Sequence, residues 1–475
     1  TSKGRQRRPR TQTQNQTQTQ AQAGKALIVF NPSPWRRQEV VSFTLEEGVD
    51  AESFSIRDED GRPIPCQLGG GSSSSGRRAL YLLADVPPLG WRTYYLEERA
   101  RQGDLELDLD LELGTPPRVS ASAEDRIMEN DHLKVKLNED GSLTITDKGT
   151  GRTYESLGYF EDGGDAGDTY DYSYSQEDKV ITSLGRKAEI TLEAGPLMAR
   201  FRVELKLPLP KGLTGDRRAR SEELVEQPII SWVELTAGSP RVDIQTVVYN
   251  LAKDHRLRVL FPTALKVDRS WAEEPFDVAE FPIVPEPPLE EIPERLEGLV
   301  IAGRNRVPSA TRPFQNFFTV TDGKAGLAVL SDGLAEYELL EDGTLALTLL
   351  RCVGWLARDD LLTREGDIGP QILTPEAQLL GKHAFRYSIY PYMGDWLRGR
   401  VHLQAEAHNL KLRGVWSSYH SGSLPDRMSF LSVESEPSDA LKLTAVKRAE
   451  EGEELVLRLY NVTDRAVRGR IRFQV

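Results

Sequence analysis

The chain has 475 residues, of which 39% are hydrophobic and 28% charged, with a formal net charge of −13. That length allows two to four domains with large cores, and the acidic balance argues against nucleic acid, whose phosphates need a basic footprint. No apolar run approaches ~20 residues, so no bilayer-spanning helix is expected, and no charged-then-apolar start marks a secretory signal. Cys66 and Cys352 are far apart and carry no partner motif. They are expected as buried or incidental thiols in a reducing cytoplasm, with a bridge between them as the alternative. The opening at Thr1, without methionine, suggests a piece of a longer polypeptide.

Residues 1–24 are expected to be a disordered linker. Lys3, Arg5, Arg7, Arg8 and Arg10 open it, and a Gln/Thr repeat follows without any apolar side chain larger than alanine. Such a segment cannot offset its ordering entropy by burial. A basic arm touching an anionic partner is the competing reading.

Residues 25–120 predict a small β-sandwich. Short apolar or alternating runs occur at Ala26 to Phe30, Val40 to Leu45, Ser53 to Arg57, Leu80 to Leu83 and Thr93 to Glu97. Gly69 to Gly76 is rich in glycine and serine and predicts an exposed loop. Leu105 to Leu113 alternates leucine and acid with period two, as in a half-buried strand or an acidic spacer. Pro116-Pro117 then places a domain boundary near residue 120.

Residues 121–394 form the largest unit, again of strands. Asn138-Glu139-Asp140-Gly141 between two alternating runs is a hairpin signal. Long alternating strands are predicted at Ala199 to Leu207, Ile229 to Leu235 and Val242 to Tyr249. Asp322-Gly323, Asp332-Gly333 and Asp342-Gly343 punctuate a later series at roughly ten-residue intervals, as in a sandwich. His383 to Tyr390 closes it. Only Pro288 to Leu299 offers a helical turn or two, and Pro293 interrupts it. Residues 395–475 begin with a polar, partly irregular run. Strands at Leu441 to Val446, Glu454 to Tyr460 and Gly469 to Val475 then predict a C-terminal β-sandwich. The fold class is therefore all-β, built of several antiparallel sandwiches.

Phe160 to Tyr172, FEDGGDAGDTYDY, carries the most chemistry. Its glycines favour sharp turns, so the whole stretch is expected to be a loop, not a strand. Carboxylates accept hydrogen bonds from sugar hydroxyls, and tyrosine rings pack on apolar C–H faces while their O–H groups donate. Asp165, Asp168, Tyr170, Asp171 and Tyr172 are thus candidate carbohydrate-binding residues. A solvated turn is the bland alternative. A calcium loop fits less well, because acids every third residue do not follow the common helical ligand pattern. Asp165 and Asp168 could have either carboxyl spacing used in glycoside hydrolysis, which sequence alone does not decide.

Other motifs are few. No HExxH, CxxC pair, Walker loop or nucleophile elbow occurs, and the six histidines form no zinc-like spacing. Arg364, in the glycine-bounded run Leu362 to Pro370, could clamp vicinal hydroxyls or pair at the surface with Glu365 or Asp367. In Asp254-His255-Arg256-Leu257-Arg258, alternation puts His255 and Leu257 on one face and both arginines on the other, where they would satisfy acids or carbonyls of the sheet.

Several strings resemble a known family. ENDHLKVKLNEDGSLTITDKGTGRTY (129–154), GYFEDGGDAGDTYDYS (158–173), LTAGSPRVDIQTVVYNLAKDHRLRVLFPT (235–263) and TPEAQLLGKHAFRYSIYP (374–391) resemble the non-catalytic C-terminal half of glycoside hydrolase family 38 α-mannosidases. The bacterial branch with mannosylglycerate hydrolases is the most similar. ALIVFNPSPW (26–35) resembles the family's first strand after a helical linker, and RMSFLSVESE (427–436) with 441–461 its terminal sandwich. HNLKL (408–412) departs from the expected aromatic-rich pattern.

The resemblance implies a galactose-mutarotase-like supersandwich for the central unit. It also implies an N-terminal catalytic barrel, absent from this chain, with a zinc ion, an aspartate nucleophile and a retaining mechanism acting on α-mannosides. No catalytic residue and no metal ligand is then expected here. The loop from Asp165 to Tyr172 would face the sugar, and Arg364 would lie near the aglycone. The chain alone would be inactive, cytoplasmic, and partnered by the barrel, with homo-oligomerisation left open. A stand-alone sugar-binding module, an independent mutarotase-like enzyme and a structural scaffold are the rival readings. The scattered histidines disfavour the second, which wants a paired His and carboxylate.

Overall fold

The computed structural model describes residues 25–45, 54–69, 78–98, 116–284, 300–301, 304–366, 368–420 and 422–473. The basic Gln/Thr segment, the bulk of the Gly/Ser loop, the leucine–acid alternation at 105–113, the turn expected at Pro288 to Leu299 and Asp367 lie outside them. Within them the regular structure is almost entirely antiparallel strand, as the all-β reading expected.

Among the described residues, the central unit is built on a nine-stranded sheet. Its order is Glu189–Ala194, Met198–Pro210, Leu224–Thr236, Val242–Asn250, Gly381–Met393, Ala325–Asp332, Phe317–Thr321, Arg269–Glu274 and Asp277–Pro282. The two 13-residue strands alternate buried and half-exposed positions along nearly their whole length, the period-two signature of a sheet with one face in a core. A six-stranded sheet packs over it, in the order Ile181–Thr182, Tyr159–Gly164, His255–Phe261, Leu345–Cys352, Glu336–Leu339 and Thr311–Pro313. A smaller five-stranded sheet spans Ser120 to Leu157. One continuous core joins them, with Phe201, Val233, Phe261, Phe318, Leu347 and Tyr387 among its members. The Asp-Gly turns fall where expected: Gly323, Gly333 and Gly343 each take φ of +83°, open to glycine at little cost.

The first unit has its own core around Leu27, Val29, Leu82 and Tyr94. One of its sheets pairs Arg37–Thr44, Ala79–Val86 and Cys66–Gly69. The other cuts across the boundary expected at residue 395. Arg413–Ser418 pairs with Lys25–Asn31, and Arg427–Ser429 pairs with Gly90–Glu98. The terminal sandwich comprises Leu431–Glu436 with Arg468–Phe473 and Leu441–Arg448 with Leu455–Asn461.

Two further differences from expectation stand out. The run after Asp395 contains a helix, Val401–Asn409, that buries Val401, His402, Ala405, Ala407 and His408. And the acid-rich stretch is not all loop. Phe160 to Gly164 belong to the strand Tyr159–Gly164, registered so that Glu161 faces Arg258 and Gly163 faces Arg256. Pairing with a charged neighbouring strand outweighs the low β-propensity of glycine and acid there.

Candidate functional site

The strand Tyr159–Gly164 delivers the chain into the loop, and its acid Asp162 anchors the entry. Asp162 is fully buried and accepts from the Arg220 guanidinium and, at 2.5 Å, from His255 Nδ1. Nε2 of His255 sits 3.0 Å from Asn250 Oδ1. Because both ring nitrogens face acceptors, the ring is held as imidazolium. Burial opposes that charge, yet the Asp162 carboxylate outweighs it and lifts the His255 pKa to about 10. The expected alternation in this strand holds only in part. His255 and Leu257 are buried, but so is Arg256, and only Arg258 is half-exposed. Arg258 pairs with Glu161 and Glu338, the in-sheet role expected of it.

The loop that follows is a set of acids locked by arginines. Asp165 is fully buried; its Oδ1 accepts from Gly167 N at 2.8 Å, and its Oδ2 forms an ion pair with Arg351 Nε at 2.9 Å, off the hydrogen-bond line. Burial pushes the Asp165 carboxyl up, against the pull of Arg351. Asp168, also fully buried, takes Tyr170 N and Asp171 N on Oδ1, both at 2.9 Å. Its Oδ2 takes Arg358 N at 2.9 Å and Arg364 Nη2 at 2.7 Å. Asp171 is half-buried and pairs with both Arg364 and Arg306. Tyr172 is half-buried beneath the Arg256 guanidinium, 3.8 Å from its ring centre.

Arg364 is not at the surface. Its side chain is 1% exposed, and it bonds Asp168, Asp171 and the Arg358 carbonyl. The loop is therefore fastened to the segment 355–364, with Thr169 Oγ1 donating to Leu356 O at 2.7 Å and Thr363 Oγ1 to Tyr172 O at 2.7 Å. Guanidinium groups occupy the places beside Asp165, Asp168 and Asp171 that a calcium ion would need. Nor do Asp165 and Asp168 form an open pair of carboxyl groups around a cleft, because both are turned inward.

What reaches solvent is aromatic and apolar. Tyr170 is 54% exposed, with its ring closing against Gly369. Beside it run exposed Ile372 and Leu373, the latter bridged to Trp355, whose carbonyl accepts from Thr169 N. Asn250 Nδ2 donates to Leu379 O at 3.0 Å, which brings exposed Leu379, Leu380 and Leu251 onto the same side. Exposed apolar side chains such as these, here interrupted by exposed Glu376 and buried Gln378, mark interaction surfaces. The sequence offered no sign of Arg351, Arg358, Arg306 or Arg220 as the loop's partners, since each lies 58 or more residues from the acid it holds.

Among the described residues, no group of three or more His, Cys, Asp or Glu side chains could hold a metal ion. Neither Cys66 nor Cys352 is in a disulfide among the described residues. No described helix is long and apolar enough to cross a membrane.

Two family models match the chain. Residues 128–360 match the glycosyl hydrolases family 38 C-terminal domain, and residues 440–475 match that family's C-terminal β-sandwich domain. A Halalkalibacterium halodurans protein, named as a putative mannosylglycerate hydrolase, is 28% identical over 349 residues, covering 70% of this chain and 36% of that protein. The crystal structure of an Enterococcus faecalis protein in glycosyl hydrolase family 38 superposes with a TM-score of 0.75 at 26% identity, over 95% of this chain and 54% of that one. An α-mannosidase from Enterococcus faecalis V583 gives the same TM-score and identity, with 52% of its chain covered. The chain thus spans between about a third and a half of the length of these relatives.

Proposed function

Since the chain belongs to glycoside hydrolase family 38, as its C-terminal β-rich part, we propose that it completes the sugar pocket of an α-mannosidase-type hydrolase. In this reading a catalytic barrel of the same polypeptide supplies the zinc ion and the aspartate nucleophile of a retaining mechanism. This chain supplies walls and has no turnover alone. The uncovered half of the Enterococcus faecalis relatives' length supports a partner region of that size. The two cysteines, neither of them in a disulfide among the described residues, support a reducing, cytoplasmic setting.

One observation carries the reading: Tyr170 stands out on a loop whose acids are all braced from behind. Asp165, Asp168 and Arg364 reach no solvent and act as positioning groups. Tyr170 offers a ring for the sugar's C–H face, with Asp171 and Tyr172 at its margin. The apolar strip from Ile372 to Leu380 is the surface that packs on the barrel.

Two experiments test this. In the intact enzyme, Tyr170→Ala lowers kcat/KM for an aryl α-mannoside while thermal unfolding is unchanged; unaltered kinetics would show that the loop is only a turn. The chain alone, assayed with and without zinc, gives no turnover; zinc-dependent hydrolysis by it defeats the proposal. Mannoside binding by the isolated chain, without any effect of Tyr170→Ala on the intact enzyme, would favour a stand-alone binding module.

A further inference from the structure

A second cleft shares no residue with the acid loop. It consists of two chambers, about 430 and 330 Å³, between the first unit and the outer face of the nine-stranded sheet. Ser42, Tyr81, Glu234, Asp243 and Lys411 line both, so the chambers are continuous. Strand alternation makes this face: Phe201, Val233 and Ile244 point to the core, leaving Arg200, Trp232, Glu234 and Gln245 to the cleft. Each chamber has the size of a small-ligand site.

The charge of the lining is opposite to that of the chain. Seven arginine and lysine side chains face three carboxylates, in a protein of net charge −13. Those carboxylates are already neutralised. Glu39 pairs with Arg37 at 2.8 Å, Glu234 accepts from Arg200 Nε at 2.9 Å, and Asp243 pairs with Arg241 at 3.0 Å. Although burial alone would raise it, Asp243 is held far below the usual carboxylate range by Arg241, with His408 and Ser388 helping. Among the described residues, Lys411 has no ion-pair partner, and its ammonium is exposed.

His408 adds a second uncommitted group. Ser388 Oγ donates to Asp243, so the His408 Nδ1–H must donate to Ser388 Oγ, 2.7 Å away. His408 Nε2 is buried and has no partner among the described residues. His408 and Lys411 flank the end of the helix Val401–Asn409, where bare carbonyls would repel an anion. Arg37 covers them, bonding Ala407 O at 3.1 Å and Leu410 O.

We propose that this cleft binds an anionic monosaccharide, a sugar carboxylate or sugar phosphate. Lys411 takes the oxyanion, and Trp35 or Trp232 lies along the sugar ring.

Isothermal titration calorimetry of the chain with glucuronate, mannose 6-phosphate, inorganic phosphate and methyl α-mannoside tests the assignment. At least one of the two charged sugars binds saturably and more tightly than the neutral mannoside and free phosphate, and whichever is tighter names the anion. Lys411→Glu, an exposed and unpaired position, weakens that binding by about tenfold or more without altering the circular dichroism spectrum. Absence of saturable binding by either charged sugar overturns the proposal. So does equal affinity for methyl α-mannoside or free phosphate, or undiminished binding by Lys411→Glu. None of these outcomes bears on hydrolysis at the acid loop, because the readout is binding at a separate place.

Discussion

Arg364 Nη2 and Asp168 Oδ2 lie 2.7 Å apart across 196 residues of sequence, with neither side chain in contact with water. Removing one member strands the other. Arg364→Met is expected to cost about 3–5 kcal/mol in urea unfolding, since Asp168 stays buried without its counter-charge. Replacing both, as Asp168→Leu with Arg364→Met, costs less than the two single losses added together, although it also strands the backbone N–H groups that Asp168 accepts. A double variant worse than the sum of the singles would show that the two side chains do not stabilise each other.

Gly167 makes the loop's tightest approach. A Cβ there would sit 2.1 Å from the Asp171 carbonyl oxygen and 2.8 Å from Ser173 N. Both obstacles are backbone, so neither can swing aside. Gly167→Ala should cost about 1–3 kcal/mol and lower kcat/KM of the intact enzyme together with it. Retention of both values would mean the loop re-forms around a methyl group.

The buried histidines give stability opposite pH dependences. His255 has its folded pKa raised from 6.5 to about 10, so its contribution is complete below pH ~6.5 and is lost as pH climbs towards 10. His402 is the reverse. Burial lowers it to about 4, so between pH ~6.5 and 4 the unfolded chain takes up a proton the folded one refuses, and stability falls on acidification. Urea midpoints across this range should flatten on the acid side for His402→Gln. Nitrogen-15 spectra should show both ring nitrogens of His255 protonated at pH 8. A neutral His255 at that pH refutes the assignment.

Lys442 ties the terminal sandwich to the central sheet through Glu273, whose side chain is 3% exposed and also accepts from Asn316 Nδ2 at 2.7 Å. Lys442→Met should loosen residues 431–473 while leaving the central core intact. Hydrogen exchange would rise in the strand Leu441–Arg448 and not in Val242–Asn250; a uniform rise across both would contradict a local hinge.

The strands were legible because alternation is a local signal. Ala199 to Leu207 and Val242 to Tyr249 could be placed within a few residues of their ends. The helix Val401–Asn409 was missed because its buried positions include two histidines and two alanines, which carry little apolar signal. At the acid loop, composition announced unusual chemistry but not its direction. Whether an aspartate meets a ligand or an arginine depends on partners such as Arg351 and Arg364, brought in from strands and turns far along the chain. Such pairings leave no mark on local sequence.

The sheet that takes in Arg413–Ser418 and Arg427–Ser429 decides how this polypeptide can be dissected. Cutting at residue 395 would peel those segments off Lys25–Asn31 and Gly90–Glu98, baring ladder edges that invite self-association. A cut just after Ser429 leaves that sheet whole and releases the last sandwich as the removable piece.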